Sequence, residues 1–118
     1  MAKGTTKVTY DGEEDILSFT KGRKIKASID IGDFIIDVDT NGFITGIEIL
    51  NASKNLKVSQ EQLEGLLEAS MNVNYKPNYV YIHLFMTLEN KEKELTIPLT
   101  IDLGHSSVRT DNIKFAVA

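Results

Sequence analysis

From Tyr10 to Leu56 apolar and polar side chains alternate in short runs, and the runs break at Gly, Asp or Asn. A period of two is the period of a strand, so a chain with this pattern builds sheet and buries one face of it. Lys7-Val8-Thr9-Tyr10 reads as a strand, Asp11-Gly12-Glu13-Glu14 as a turn, and Asp15-Ile16-Leu17-Ser18-Phe19 as the returning partner, since Gly and Asp supply turn geometry between β-prone runs. Ile25, Ala27, Ile29 and Ile31 then alternate with Lys26, Ser28 and Asp30, and Gly32-Asp33 turns the chain back. Phe34, Ile36 and Val38 face one way while Ile35, Asp37 and Asp39 face the other. Asn41-Gly42 predicts a two-residue reversal of type I′ into a strand from Phe43 to Leu50. The first half therefore reads as a meander of about five strands.

Beyond it the period changes. Ser59 can cap a helix, Gln62 completes a capping box, and Val58 can staple against Leu63. The spacing of Leu63, Leu66, Leu67 and Ser70 predicts an amphipathic helix from Ser59 to Ala69, weakened by Gly65, with a separate short helical turn at Ala52 to Asn55. Pro77-Asn78 punctuates the chain before Tyr79 to Leu88, where Val80, Ile82, Leu84, Met86 and Leu88 alternate with Tyr79, Tyr81, His83, Phe85 and Thr87. After a charged turn, Leu95 to Ile101 alternates again, and Pro98 places that strand at an edge or a bulge. Ile113 to Val117 reads as one more short strand or as surface. At 118 residues the expectation is one domain over 1–118. Its fold class is α+β: a mainly antiparallel meander sheet of seven or eight strands with one amphipathic helix packed on a face, or a half-open barrel plugged by the same helix.

Charge and composition narrow the function classes. Seventeen acids against thirteen Lys and Arg give a net charge of −4, and the basic residues are scattered, which leaves no footprint for a phosphate backbone and excludes nucleic acid as the expected partner. The absence of Cys removes disulfides, thiolate catalysis and thiolate metal sites and fits a reducing cytoplasm. No apolar run reaches the length of a membrane span or a secretory h-region, so no membrane partner is expected, and Met1-Ala2-Lys3-Gly4 reads as a frayed start.

Few residues carry chemistry. Asp30, Asp33, Asp37 and Asp39 form the densest carboxylate group of the first half. Asp37 and Asp39, with Glu48, are candidates for a divalent cation that takes oxygen ligands. The run lacks the later bidentate Glu of a calcium loop, however, and a solvent-facing Asp37 with Asp39 or Asn41 bracing the turn is the simpler account. His105 with Asp102 and Ser106 supplies the residue types of a hydrolytic triad without the strand-to-helix elbow that aims a nucleophile. Gly42, Gly46 and Gly104 assemble no phosphate-cradling loop. No cofactor is expected. The aromatic side formed by Tyr79, Tyr81 and Phe85 can cover a second core layer or make an interface with another copy or another protein.

Three segments carry a resemblance. They are Tyr10-Asp11 through Asp15, then Asp33-Phe34-Ile35-Ile36-Asp37-Val38-Asp39, then Gly42-Phe43-Ile44-Thr45-Gly46-Ile47-Glu48-Ile49-Leu50-Asn51-Ala52-Ser53-Lys54. Together they resemble DUF2283, a family of small prokaryotic proteins of unknown function, over residues 7–56. Its ending Gly-Ile-Glu-Ile-Leu-Asp-Ala-Ser recurs here with Asn51 in the place of the Asp, which keeps a capping side chain and removes a charge. The resemblance implies a compact β-rich fold and hands over no activity, cofactor or catalytic residue; residues 57–118 are expected to complete the core with a helix and a hairpin. The functional expectation is a non-catalytic interaction or assembly module, homo-oligomeric and cytoplasmic. Its rival is a small enzyme or divalent-metal-dependent ligand binder.

Overall fold

A computed structural model describes residues 7–100 and 109–117, with the backbone alone at 109–112 and 116. In chain order the elements are β1 (Lys7–Asp11), β2 (Ile16–Thr20), β3 (Ile25–Ile31), β4 (Phe34–Asp39), β5 (Ile44–Ile49), α1 (Ala52–Leu56), α2 (Gln60–Glu64), β6 (Glu68–Tyr75), β7 (Val80–Leu88), β8 (Lys91–Leu99) and β9 (Arg109–Val117). No helix among the described residues is long and apolar enough to cross a membrane.

The strands lie in the order β3-β4-β5-β2-β1-β9-β6-β7-β8. The expected single meander of seven or eight strands is thus replaced by a five-stranded sheet, β3 to β1, and a four-stranded sheet, β9 to β8. Among the described residues the two are joined by backbone pairing only where Lys7 and Val8 run parallel to Ala116 and Val117. Within the first sheet β2 pairs with β5 rather than with β3, so β2 to β5 form a Greek key. Burial explains the choice. β5 is covered along nearly its whole length, whereas β3 is exposed at six of its seven residues, so β5 takes the centre and β3 the edge. Gly46 fits that centre because a Cβ there would lie 2.8 Å from the Phe19 carbonyl oxygen of β2.

The helix expectation needs the largest correction. Ser59 does cap α2 through a complete capping box with Gln62, but the helix stops at Glu64, with Gly65 as its C-cap, and does not reach Ala69. From Glu68 onward Ala69, Met71, Val73 and Tyr75 are buried in alternation, and this strand, β6, pairs with β7 on one side and β9 on the other. Leu63 and Leu66 fit both a helix and a helix followed by a strand, and burial of Leu66 with Leu67 left 57% exposed breaks the helical stripe. The short turn at Ala52 forms as α1, Ile113 to Val117 belongs to β9, and β8 with Pro98 is an edge, as the sequence implies.

The inner faces of both sheets meet in one cluster that includes Leu17, Phe19, Ile36 and Ile47 from the first and Met71, Val73, Ile82 and Leu84 from the second. The short axis of the molecule is 22 Å, as two layers spaced about 10 Å apart require once side chains are added. Phe19 meets Phe115 edge-on at 5.1 Å and Phe43 meets Tyr75 at 5.4 Å, contacts worth about 0.5–1.5 kcal/mol each beyond burial. The fully buried Tyr75 hydroxyl accepts the Ile44 N–H at 3.0 Å, which satisfies a backbone donor across the layers.

The β4–β5 turn is longer than the two-residue reversal expected. Asp39 N–H donates to Phe43 O at 2.8 Å and Gly42 N–H to Asp39 O at 3.0 Å, so Thr40, Asn41 and Gly42 form a three-residue loop. Gly42 has φ 86°, while Asn41 is not among the residues with positive φ; type I′ geometry would need both. The Asp39 carboxylate, buried at 3% exposure, accepts the N–H groups of Asn41 at 2.9 Å and Phe43 at 3.0 Å. Asp39 is therefore the brace of the turn. In urea denaturation Gly42→Ala is expected to cost about 1–2 kcal/mol through left-handed strain, Asp39→Ala about 2–4 kcal/mol through two stranded donors, and Asn41→Ala under about 0.5 kcal/mol. A larger loss at Asn41 than at Gly42 would refute this loop geometry.

Candidate functional site

The polar groups of the first half converge on the segment that follows β5. Asp15 ends the β1–β2 turn with φ 58°, a left-handed conformation that Asp tolerates better than most residues. That geometry aims both its carbonyl and its carboxylate at α1. Its carbonyl oxygen accepts the Ala52 N–H at 2.9 Å. Its Oδ1 accepts the Tyr10 hydroxyl at 2.6 Å and the Ser53 N–H at 3.1 Å, and its Oδ2 accepts the Ser53 hydroxyl at 2.7 Å.

Asn51 stands at the N-cap in left-handed conformation (φ 51°) and makes no side-chain cap, contrary to the capping role expected of it. Asp15, remote in sequence, caps α1 instead. The Asn51 amide turns to Asp33 Oδ2 at 3.4 Å, where it is joined by the Asn55 amide at 3.0 Å. Asn55 also donates to Leu50 O at 2.7 Å, and Leu50 N–H donates to Asp33 O at 2.8 Å. Leu50 to Asn55 is thus the hub to which both the β1–β2 and the β3–β4 turns are tied.

Electrostatics make this hub a clasp rather than a reactive centre. Burial pushes the Asp15 carboxyl up, but the hydrogen bonds from Tyr10, the Ser53 hydroxyl and the Ser53 N–H outweigh it and hold the group below its ordinary value. Burial first, then the bond to Asp15 and the charges of Asp15, Glu64 and Asp11, push the Tyr10 hydroxyl well above the ordinary tyrosine range. The result is an anion whose lone pairs are occupied and a phenol that keeps its proton. Neither is poised as a base near neutral pH, and among the described residues no imidazole hydrogen-bonds Ser53.

The carboxylates proposed from sequence do not come together. Asp37 lies on the outer face of the first sheet, opposite Gly46, and accepts the Ser28 hydroxyl at 2.7 Å; Asp39 is spent on its turn, and Glu48 sits opposite Ile35 and Ser18. Asp37 is thus taken up beside Ser28, and Asp39, at 3% exposure, by its own loop, so the two carboxylates are not presented together. Among the described residues no three His, Asp or Glu gather to hold a metal ion. Asp102 and His105 lie outside the described residues.

The aromatic side of β7 is placed differently. Its inward residues Val80, Ile82, Leu84, Met86 and Leu88 are all buried, whereas Tyr79, Tyr81 and Phe85 are exposed at 41%, 38% and 40%. They do not form a second core layer, and among the described residues no helix covers them. Tyr79 and Tyr81 lie 5.3 Å apart between ring centroids, and His83 stacks on Phe85 at 6.3 Å while its Nδ1 hydrogen-bonds Thr96 Oγ1 at 2.9 Å. Phe85 borders two shallow grooves of about 410 and 340 Å³, both also lined by Ser70 and Lys114. Sequence reasoning found this face. It missed the Asp15 clasp, for which the one local signal is an Asp directly before a strand, at a turn end where left-handed backbone is common.

The family model described as "Protein of unknown function (DUF2283)" matches residues 7–53, the span that holds Tyr10, Asp15, Asp33 and the hub as far as Ser53, with Asn55 beyond it. An uncharacterized protein of Methanocaldococcus jannaschii, MJ0789, is 34% identical over 91 residues, covering 75% of this chain and 78% of its own length. A Methanosarcina mazei protein named "Putative hypoxanthine phosphoribosyltransferase" is 27% identical over 114 residues, covering 96% of this chain and 88% of its own length. No solved structure matches the chain.

The clasp generates its own test. Asp15→Ala is expected to cost about 2–4 kcal/mol through the lost cap and the stranded donors, and Asp15→Gly about 1 kcal/mol less, because glycine relieves the left-handed backbone. Since folding lowers the Asp15 pKa, its stabilisation is present above the ordinary aspartate value near 4 and is lost as pH falls through the folded value. The stability gap between the wild type and Asp15→Asn should therefore narrow as pH falls below about 4; a gap that widens on acidification would contradict an ionised clasp.

Proposed function

The chain belongs to the DUF2283 family, and we propose that it is a non-catalytic interaction module that assembles with copies of itself through the outer face of β7. The observation that carries this reading is the exposure of Tyr81 and Phe85 on β7, an inner strand of the second sheet, and of Tyr79 directly before it. Rigid aromatic rings bury large area at small entropic cost and are enriched at interface centres. The surroundings suit such a centre. Pro98 and Asn74 lie opposite Tyr81, Thr96 and Asn72 opposite His83, and Glu94 and Ser70 opposite Phe85, so an apolar stripe is rimmed by groups that hydrogen-bond. The net charge of −4 argues against a phosphate backbone as the occupant. In the same reading the protein works in the cytoplasm, where a chain without cysteine suits the reducing conditions.

A transferase reading rests on the name of the Methanosarcina mazei relative. Phosphoribosyl transfer would need groups that cradle phosphates, and among the described residues no glycine-rich loop opens a helix for that purpose. The clasp and the dispersed carboxylates give that reading no support.

Sedimentation equilibrium at tens to hundreds of micromolar tests the proposal. The wild type should exceed monomer mass, and Tyr81→Glu with Phe85→Glu should weaken association through this face at least about tenfold while leaving the far-UV circular dichroism unchanged. A wild type that stays monomeric, or association indifferent to both substitutions, would end it.

A further inference from the structure

Among the described residues the two edge strands, β8 and β3, are built differently. β8, one edge, carries Lys91, Glu92, Lys93 and Glu94 in succession and then Pro98, the charges and missing N–H with which proteins blunt an edge against further pairing. β3, the other edge, has the sequence Ile-Lys-Ala-Ser-Ile-Asp-Ile, is exposed at six of seven positions, and leaves Ile25 and Ile31 50% and 40% exposed. Its one irregularity is a bulge between Ile25 and Ala27, which gives Lys26 no partner in the register with β4.

Read antiparallel to itself about Ser28, β3 is self-complementary. Ser28 meets Ser28, Ala27 meets Ile29, Lys26 meets Asp30, and Ile25 meets Ile31. A two-fold axis repeats every pair, so both lysines find an aspartate and each exposed isoleucine finds the other. Backbone polarity agrees. The two-residue loop Gly32–Asp33 closes on the pair Ile31 and Phe34, and as far as the bulge Ala27, Ile29 and Ile31 turn their amides toward β4, which leaves Ser28 and Asp30 with amides directed to the open edge. The same exercise on β8 about Leu95 sets Lys93 against Ile97, Glu94 against Thr96 and Glu92 against Pro98 and yields no complementary charge.

We infer that two copies of the chain pair antiparallel through β3, with the axis at Ser28, and extend the five-stranded sheet into one of ten strands across the dimer. This edge lies at the opposite end of the strand order from β7 and β8, so the inference stands apart from the aromatic face. Closed two-fold pairing also removes the edge that would otherwise recruit further chains. One strand edge buries less area than a standard interface, so the dimer should be of micromolar strength.

The test uses the full chain carrying Tyr81→Glu and Phe85→Glu, so that association through β7 does not mask the edge. Ser28→Cys introduces the sole thiol of the protein and, with the two Cα atoms about 5.5 Å apart across the axis, should oxidise to a disulfide-linked dimer. Lys26→Cys, whose copies lie about 14 Å apart in this register, should not. By sedimentation equilibrium Lys26→Asp and Asp30→Lys should each weaken the dimer at least about tenfold by placing like charges opposite one another, and the double reversal should restore it. Equal cross-linking at both cysteine positions, no effect of the single reversals, or no rescue by the double would overturn the inference. The cysteine pair keeps the question open to refutation even if a charge variant fails to fold.

Discussion

One carboxylate holds the first half of this protein in register. Asp15 accepts a phenol, a hydroxyl and a backbone N–H at its carboxylate and a further N–H at its carbonyl, so the β1–β2 turn, the start of α1 and the end of β5 meet at a single residue. An ionised acceptor with charge-assisted bonds is stronger than the same number of neutral ones, and here it replaces the cap that Asn51 does not make. With the Asp33 bonds to Asn51 and Asn55, it fixes where β5 ends. The chain then leaves the first sheet toward α2 and the second. The span matched by the family model contains the clasp, whose residues are accounted for by the cap and turn bonds that they make.

That explanation moves the search for function outward. The polar groups of the first half are occupied by turns and caps, and the core is sealed by Phe19, Phe115 and Tyr75 between the sheets. Among the described residues, apolar groups are left exposed on the outside of the sheets, in the aromatic row of β7 and along the edge strand β3. Both are strand surfaces, and both present apolar groups set among hydrogen-bonding ones. A small two-layer protein has little room for a deep pocket, because its inner faces are consumed by each other.

Much of this was legible beforehand. The alternating runs marked seven of the nine strands and left β9 open between strand and surface, the capping box marked the start of α2, and the inward row of β7 was named residue by residue. The failures share a cause. Leu63, Leu66 and Leu67 satisfied a helical period, so the helix was carried across residues that belong to β6; Met71, Val73 and Tyr75 alternate, but a short alternating run next to a helix is ambiguous until its neighbours β7 and β9 are known. Asn41-Gly42 named the turn and misjudged its length, since a single buried carboxylate, Asp39, favours a three-residue loop by satisfying two N–H groups.

Periodicity and turn chemistry are local, and so the sequence by itself determined that this chain builds antiparallel strands, where most of them lie and which of their faces are apolar. Strand order, the Greek key of β2 to β5 and the capping of α1 by Asp15 were decided only by tertiary structure. Each depends on residues far apart in the chain, such as Asp15 and Ser53 or Phe19 and Ile47, and their meeting is selected by burial and by satisfaction of backbone donors across the whole core. The same holds for the aromatic row of β7. Alternation could place Tyr79, Tyr81 and Phe85 on one side of a strand, but whether a second layer covers that side depends on how many layers the rest of the chain can supply, and this one supplies two.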